Sequence, residues 1–392
     1  MAIYLDHAAT TPMTPRVREA YLEALGVVGN PSSIHSQGQN AKRMLEEARE
    51  RVAASLGADA VEVTFTSGGT EAINLAVKGL YWERQRGERP RPRILMPAGE
   101  HHATVDAAAW LAQAQGAIVE EVPVDAVGRI DLDALRAALG DDVALVTAIW
   151  ANNEVGTVQP VREIVALAAA EGVPVHLDAV AAYGYLPIDF HASGAAALSV
   201  SAHKIGGPVG IGALLIARSS SVTPLVHGGN QQRARSGTQD AAGAVAFGVA
   251  AAEATRELGI RSGLLAARRD RLIAGVRAAV PSAILRGDPV DRLPGNAHFT
   301  FPGCEGDSLL FLLDVAGFSV STGSACQAGV PEASHVLLGM GVSEPDARGA
   351  LRITIGHETT GGEVDAFVAA LPAAVERATR AGLADRVVGF GA

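Results

Sequence analysis

The sequence predicts an α/β fold: a mainly parallel central sheet with helices on both faces, plus a smaller α+β domain. Three observations predict it. From Val61 to Ile216, strand-length apolar or alternating runs take turns with helix-length stretches, an order that builds a parallel sheet with crossover helices. At 392 residues, 48% hydrophobic and 19% charged, the chain can bury one large core and a smaller second one. After the alanine-rich stretch that begins near Asp240, the regular alternation gives way to short strands and helices. The expected division is a large domain over 15–258 and a small domain assembled from 1–14 and 259–392.

Taken in order, the first helix is expected over about 15–25, with Pro15 in the first turn, where its missing N–H costs nothing. Gly29-Asn30-Pro31-Ser32-Ser33-Ile34-His35 is a run of turn formers. A long amphipathic helix then spans about 36–56 and closes at Gly57. Residues 61–66 alternate as a strand, and Ser67-Gly68-Gly69-Thr70-Glu71-Ala72 opens a helix toward Gly79. The strand over 93–97 leads through Gly99-Glu100-His101-His102 into a helix to about Ala114. A strand over 117–122, a helix over 132–139 capped by Asp131, and a buried strand over 143–149 come next. A helix over 164–170 precedes the apolar run that ends in His176-Leu177-Asp178. Apolar stretches over 195–198 and 211–216 flank Ser201-Ala202-His203-Lys204-Ile205-Gly206-Gly207. Helices are expected over about 240–258 and 263–280, a strand with one exposed face over 296–301, a helix over 307–313 and a short strand over 318–321.

Every polar cluster in the alternating region falls at a strand's carboxyl end, on the rim where open α/β sheets bind ligands. Lys204 follows a small-residue apolar run, and a lysine in such a place needs a partner or a changed charge state. Desolvation favours the neutral amine, which condenses with an aldehyde; the bland reading is a loop lysine after a strand. Asp178 lies one strand-and-loop unit away. Alone it would more often be a helix cap, but pyridoxal phosphate enzymes need a lysine for the aldehyde and an acid for the pyridine nitrogen. The strand–glycine turn–helix at Ser67-Gly68-Gly69-Thr70 is an anion cradle, suited to the cofactor's 5'-phosphate, and Ser201 and His203 could add ligands. His101 or His102 could stack on the ring or move protons, and both also read as solvated loop histidines. Asn152 and Asn153 are either turn residues or contacts to the ring oxygen. The stretch 227–238, with Arg233, Arg235, Ser236 and Thr238, could supply further phosphate contacts. Arg352, in an apolar strand, needs an anion: a substrate carboxylate or an internal ion pair. Cys326, in Ser321-Thr322-Gly323-Ser324-Ala325-Cys326-Gln327-Ala328-Gly329, lacks apolar neighbours and reads as a reactive thiol, whereas Cys304 reads as structural.

Net charge is −10, with no basic tract, so direct nucleic-acid binding is not expected. No apolar run reaches membrane-spanning length, and the first residues do not have a secretory signal's pattern. Two cysteines cannot build a disulfide framework, and a cytoplasmic location is expected.

The motifs together resemble those of the cysteine desulfurases, pyridoxal phosphate enzymes of the class-V aminotransferase group with fold type I. The resemblance spans nearly the whole chain: Tyr4-Leu5-Asp6 with Ala9-Thr10-Thr11-Pro12, Gly29-Asn30-Pro31-Ser32-Ser33, Ser67-Gly68-Gly69-Thr70-Glu71, Asn152-Asn153-Glu154-Val155-Gly156, His203-Lys204, Arg235-Ser236-Gly237-Thr238 and Ser324-Ala325-Cys326. The spacing from Cys326 to Ser334-His335-Val336-Leu337 resembles the subgroup with a long cysteine loop, which supplies sulfur for iron-sulphur clusters and thiolated tRNA. The resemblance implies that Lys204 bonds the cofactor aldehyde and later moves protons, that Asp178 pairs with the pyridine nitrogen, and that His101 stacks on the ring as acid and base. It implies that Gly69, Thr70, Ser201 and His203 hold the phosphate, joined by Thr238 from the other subunit of a homodimer, and that Asn153 contacts the ring oxygen. Asn30 with Arg352 would bind the carboxylate of L-cysteine. Cys326 would take its sulfur as a persulfide while alanine leaves. No resident metal is implied, beyond a transient iron-sulphur contact at Cys326, and the implied protein partner is a sulfur acceptor or scaffold.

Three positions depart from the family pattern. Ala181 stands where a glutamine usually bonds the ring oxygen, Asn230 where a glycine is usual, and Gln232 where a glutamate is usual. They keep open an alternative, a paralogous pyridoxal phosphate lyase or aminotransferase-like enzyme acting on another amino acid. A non-catalytic scaffold would have no need of Lys204, Asp178 and Cys326 together.

Overall fold

Short runs of β-branched and small apolar residues, bounded by turns, form the strands. In a computed structural model describing residues 2–256, 258–323 and 333–385 they are β1 (Ile3–Tyr4), β2 (Val63–Thr66), β3 (Arg93–Pro97), β4 (Ile118–Val122), β5 (Val143–Ile149), β6 (Val175–Asp178), β7 (Ala197–Ser201), β8 (Gly212–Ile216), β9 (Ile284–Arg286), β10 (Asn296–Thr300), β11 (Phe318–Ser319) and β12 (Ala350–Thr354). Cys326 lies outside the described residues.

The large sheet has the order β2-β8-β7-β6-β5-β3-β4. Strands β4, β3, β5, β6 and β7 are mutually parallel, as the alternating sequence predicts. Strand β8 is antiparallel to both its neighbours. The cause is chain length: only residues 202–211 separate β7 from β8, too few to carry a crossover helix. The chain therefore turns straight back, and Lys204 stays at the carboxyl end of β7.

Successive residues of these strands feed opposite faces. Ile94, Leu145, Leu214 and Ile216 pack under the helices Gly69–Arg84 and His102–Gln115. Their neighbours Leu95, Val146 and Leu215 pack on the other face, where helices Ser36–Ser55, Val161–Ala170 and Ala241–Thr255 lie. The alanine-rich composition has a use here: a Cβ on Gly248 would lie 3.0 Å from Ala48 Cα, so these two helices touch almost backbone to backbone.

A second core gathers Leu5, Phe299, Phe301, Phe318, Leu351 and Phe367. It rests on the antiparallel sheet β12-β10-β9 and the parallel pair β1-β11. Leu5, from the first residues of the chain, is completely buried among side chains from far along the sequence.

Three sequence expectations need correction. The strand expected over 61–66 begins only at Val63, because Ala60–Glu62 form a 3-10 turn in which Glu62 Oε2 accepts from Asp59 N–H at 2.9 Å. Residues 296–301 do not present an exposed face; β10 is buried along its whole length as the middle strand of its sheet. Its apolar Ala297 and Phe299 enter the second core. Its polar residues turn toward other protein: Asn296 Nδ2 donates to Glu154 O at 2.9 Å, and Thr300 Oγ1 accepts from Arg286 Nε at 2.9 Å. The alternation separates a face turned to the second core from a face turned to other protein, not to water, and on that second face His298 is fully buried with both ring nitrogens lacking a hydrogen-bond partner among the described residues. The helix expected from Gly263 starts earlier, at Leu258, and the one before it ends at Thr255. Gly259 and Gly263 are exposed helix positions, where glycine costs about 1 kcal/mol without breaking the helix.

His176 makes the fold acid-sensitive. It is fully buried in β6, with Nδ1 2.8 Å from Thr147 Oγ1 and Nε2 2.8 Å from Ser199 Oγ, and burial pushes its imidazole down to about 3. A folded pKa below the unfolded one means the contribution is present above about 6.5 and is lost as pH falls toward 3. We expect thermal unfolding measured from pH 7 to pH 4 to show a falling Tm. This group should add up to about 1.4 kcal/mol per pH unit to the slope of stability, and His176→Asn should lower the slope by about that much while His101 and His298, whose imidazoles burial also pushes down, keep their share.

Candidate active site

At the carboxyl rim of the sheet, where the two cores meet, lies a cavity of about 400 Å³. Gly69, Thr70, His101, Asn153, Asp178, Ser201, His203, Lys204 and Arg352 all line it, from elements spread over most of the chain. Asn30 and Thr238 are not among its described lining residues; both are exposed, and Asn30 Oδ1 accepts from Ser32 N–H at 2.9 Å. A larger cavity, about 660 Å³, opens at the opposite rim beside Glu62, Arg84, His191 and Arg218 and holds none of these residues. Asp59, Glu62 and His191 come close enough there to hold a metal ion, yet they already satisfy one another and Arg218.

Lys204 rides on a short 3-10 turn, Ala202–Ile205, which Gly206 ends in the left-handed conformation at φ 80°. Its Nζ donates to Ala8 O at 2.5 Å and to Ala9 O at 2.9 Å. Burial pushes the ammonium down to about 8, helped by Arg352 and opposed by Asp6 and Asp178. Asp178 ends β6, is 3% exposed and accepts from Val180 N–H at 2.9 Å. Burial raises its carboxyl to about 6, against the pull of that N–H and of Lys204. A buried carboxylate of this kind gains when a cation approaches it.

The turn before helix Gly69–Arg84 is shaped for an anion. Glu71 Oε2 accepts from Ser67 N–H at 2.7 Å and holds the turn closed. A Cβ on Gly69 would fall 2.8 Å from Val180 Cγ2, so only glycine lets the turn come this close. Ser201 Oγ is buried without a hydrogen-bond partner in the described residues, 1% of the residue being exposed. An orphaned hydroxyl beside free helix N–H groups fits a phosphate. Together with an amine of lowered pKa and a buried carboxylate, the donor set fits pyridoxal phosphate.

Several alternatives left open by the sequence are now resolved. Asn152 is the turn residue: its Oδ1 accepts from Glu154 and Val155 N–H at 2.9 Å each, and its Nδ2 donates to Gly99 O. Asn153 is thereby left facing the cavity. His101 caps helix His102–Gln115 with Nδ1 accepting from Ala103 N–H at 3.1 Å, so the neutral ring carries its proton on Nε2. Burial, then Lys204, His102 and His335, push this imidazole down to about 4. Arg352 does make an internal ion pair, Nη2 to Asp6 Oδ1 at 2.9 Å, with Nη1 donating to Asn153 O at 3.0 Å, while still lining the cavity. Arg235 pairs with Glu71 at 3.0 Å, and Gln232 bonds both N–H and O of Phe65, so stretch 227–238 is braced against the anion turn. Cys304 is buried against Thr379 and its thiol is raised by burial, in keeping with a structural role. Ala181 lines both the cavity and a small pocket of about 40 Å³ behind Lys204 that His7 and Tyr185 also border.

Sequence reading missed Asp6 and Glu100. Glu100 is fully buried, its Oε1 accepting from Ile149 N–H at 2.7 Å, and burial with nearby Asp178 raises its carboxyl well above the usual range. Its place in Gly99-Glu100-His101, between a strand and a helix, carries no local signal that marks it as buried.

A model of the class-V aminotransferase family matches residues 3–367. An IscS-like cysteine desulfurase of Mycobacterium tuberculosis is 53% identical over 386 residues, covering 97% of this chain and 98% of the relative. A cysteine desulfurase IscS of Methanosarcina thermophila is 41% identical, covering 96% and 92%. A solved NifS-like protein superposes with a TM-score of 0.88 at 34% identity, covering 96% of this chain and all of the other.

The lowered Lys204 pKa gives a direct test. Only the neutral amine attacks an aldehyde, so capture of pyridoxal phosphate by the cofactor-free protein should speed up with pH and level off above about 8. Stopped-flow absorbance reads the rate, and Lys204→Ala should abolish the pH-dependent phase.

Proposed function

The chain belongs to the class-V aminotransferase family and, within it, to the cysteine desulfurases. On that premise we propose that it uses pyridoxal phosphate to convert L-cysteine to L-alanine, leaving the sulfur on Cys326 as a persulfide. The observation that carries the reading is the convergence of Lys204, Asp178 and the glycine turn on one cavity that Arg352 also lines. When bound, pyridoxal phosphate supplies an electron sink for charge that develops on the substrate's carbon atoms.

The chain's own residues would do the rest. Gly69, Thr70, Ser201 and His203 would hold the phosphate, and Asp178 would keep a proton on the pyridine nitrogen. Asn153 would contact the ring oxygen. His101, neutral at physiological pH, presents Nε2–H for stacking and proton exchange. Lys204 would exchange a proton with the substrate, which a pKa near 8 suits. Arg352 would receive the substrate carboxylate; the part implied for Asn30 would need that exposed side chain, which is outside the described lining of the cavity, to reach the same group. The Cys326 thiol would attack the substrate sulfur, so that its sulfur–carbon bond breaks, a sulfur–sulfur bond forms, and the carbon left behind takes up a proton to become alanine.

A homodimer suits the exposed placement of Thr238, with Thr238 of the partner subunit completing the phosphate cradle. A sulfur acceptor or scaffold protein would then collect the persulfide for iron-sulphur cluster assembly or thiolation, in the cytoplasm. The small domain, 1–14 with 259–392, would bring Cys326 and Arg352 to a cofactor held by the large domain, 15–258. No helix among the described residues is long and apolar enough to cross a membrane.

The test is incubation of the pyridoxal phosphate-loaded protein with L-cysteine and a thiol reductant, quantifying alanine and sulfide together. Equal yields are expected, falling at least a hundredfold in Cys326→Ala. Turnover that survives Cys326→Ala would overturn the persulfide route and revive the alternative amino-acid substrate.

A further inference from the structure

The first residues of the chain form a strap that the proposed chemistry leaves without a role. Strand β1 pairs with β11, Leu5 is fully buried, and Asp6 forms a parallel bridge to Thr354, two residues beyond Arg352 on β12. Leu5 O accepts from Thr354 N–H at 2.8 Å, and Tyr4 Oη donates to Asp6 O and Thr10 O at 3.0 Å each. The backbone around Asp6 is thus fixed on both sides. Its carboxylate meets Arg352 Nη2 at 2.9 Å, while Asn153 O fixes Nη1 at 3.0 Å. Arg352 is 5% exposed, and these are its side-chain hydrogen bonds to the described residues. Asp6 is not among the described residues that line the cavity, whereas Arg352 is.

We propose that Asp6 is a positioning residue, which fixes the plane of the Arg352 guanidinium so that the fork is presented to the substrate carboxylate. A guanidinium recognises a carboxylate by two parallel N–H···O bonds, and that geometry is lost if the plane can turn. On strand β12 the backbone sets only where the side chain starts. Asn153 O holds one nitrogen and leaves rotation about that contact; Asp6 holds the second nitrogen and removes it. The carboxylate also offsets part of a buried cationic charge, which would otherwise stand unpaired in the absence of substrate. The role is selective: it concerns the substrate's carboxylate and not its amine or thiol. It rests on the reading of Arg352 as the carboxylate receptor.

The test is equilibrium titration of the pyridoxal phosphate-loaded protein, following the absorbance of the bound cofactor; every variant carries Cys326→Ala, so that L-cysteine binds without being turned over, and the Cys326→Ala protein with Asp6 intact serves as the wild type. L-cysteine is compared with cysteamine, which keeps the amine and thiol and lacks the carboxylate. In Asp6→Ala the L-cysteine dissociation constant should rise about tenfold, equivalent to about 1.4 kcal/mol, with that for cysteamine within twofold of the wild type. Asp6→Asn, which keeps an oxygen acceptor at the same place, should recover L-cysteine binding to within about threefold. Should Asp6→Ala fail to fold, Asp6→Ser, whose shorter side chain cannot reach the guanidinium, carries the same test. Equal weakening for both ligands would mean that Asp6 only supports the fold, and unchanged L-cysteine binding would mean that Arg352 needs no such support; either overturns the inference. Arg352→Gln separates the two levels: if it too leaves L-cysteine binding unchanged, the reading of Arg352 itself fails.

Discussion

A lysine half-buried at the rim of a sheet has to be given partners, and much of this molecule follows from which partners it was given. Lys204 Nζ is held by two backbone carbonyls, those of Ala8 and Ala9. Carbonyls satisfy an ammonium's donors without matching its charge. A carboxylate in direct contact would stabilise the charged form and hold the pKa high. Here desolvation wins instead, Arg352 adds to it, and Asp6 and Asp178 oppose it only in part. The outcome is a side chain that is well held and chemically available at once.

Those carbonyls come from the first residues of the chain, so the lysine's environment depends on how those residues are anchored. Leu5 is anchored in the second core, and the strap leaves that core to cross the cavity. Thr11 N–H donates to His203 O, which ties the far end of the strap to the Lys204 turn. The direction of β8 contributes equally. Because residues 202–211 cannot carry a crossover, the lysine turn stays on the same rim as Asp178, His101 and the glycine turn.

What the sequence made legible was local. Strand, glycine turn and helix recur in a recognisable order around Gly69, and Asp178 and Lys204 sit at strand ends that the apolar runs mark. Such features need only a few consecutive residues to declare themselves. The rest depended on partners remote in sequence. Asp6 and Arg352 are 346 positions apart, and nothing near Asp6 announces an arginine. The burial of β10 depended on Glu154 and Arg286 receiving its polar side chains. Asn152 and Asn153 are identical as letters, and only the turn they form assigns one to the backbone and the other to the cavity. Glu100 carries no local mark of burial because its partner, Ile149 N–H, ends a strand 49 positions further along the chain.

The cavity therefore belongs to neither core alone. Lys204, Asp178 and the anion turn stand on the large sheet, whereas Arg352 stands on β12 of the small one. Their separation is set by contacts between the two sheets, and the Asn-Asn-Glu turn after β5 concentrates those contacts. Asn153 O receives Arg352, Glu154 O receives Asn296, and Ser334 Oγ donates to Glu154 Oε2 at 2.5 Å. One turn thus holds both the guanidinium and Ser334, at the start of the described chain that follows Cys326. The turn bears on the site through the contacts that join the two sheets, two of them made by its backbone carbonyls and not by its side chains. Position in the fold, more than the identity of any single side chain, is what makes that turn part of the active site.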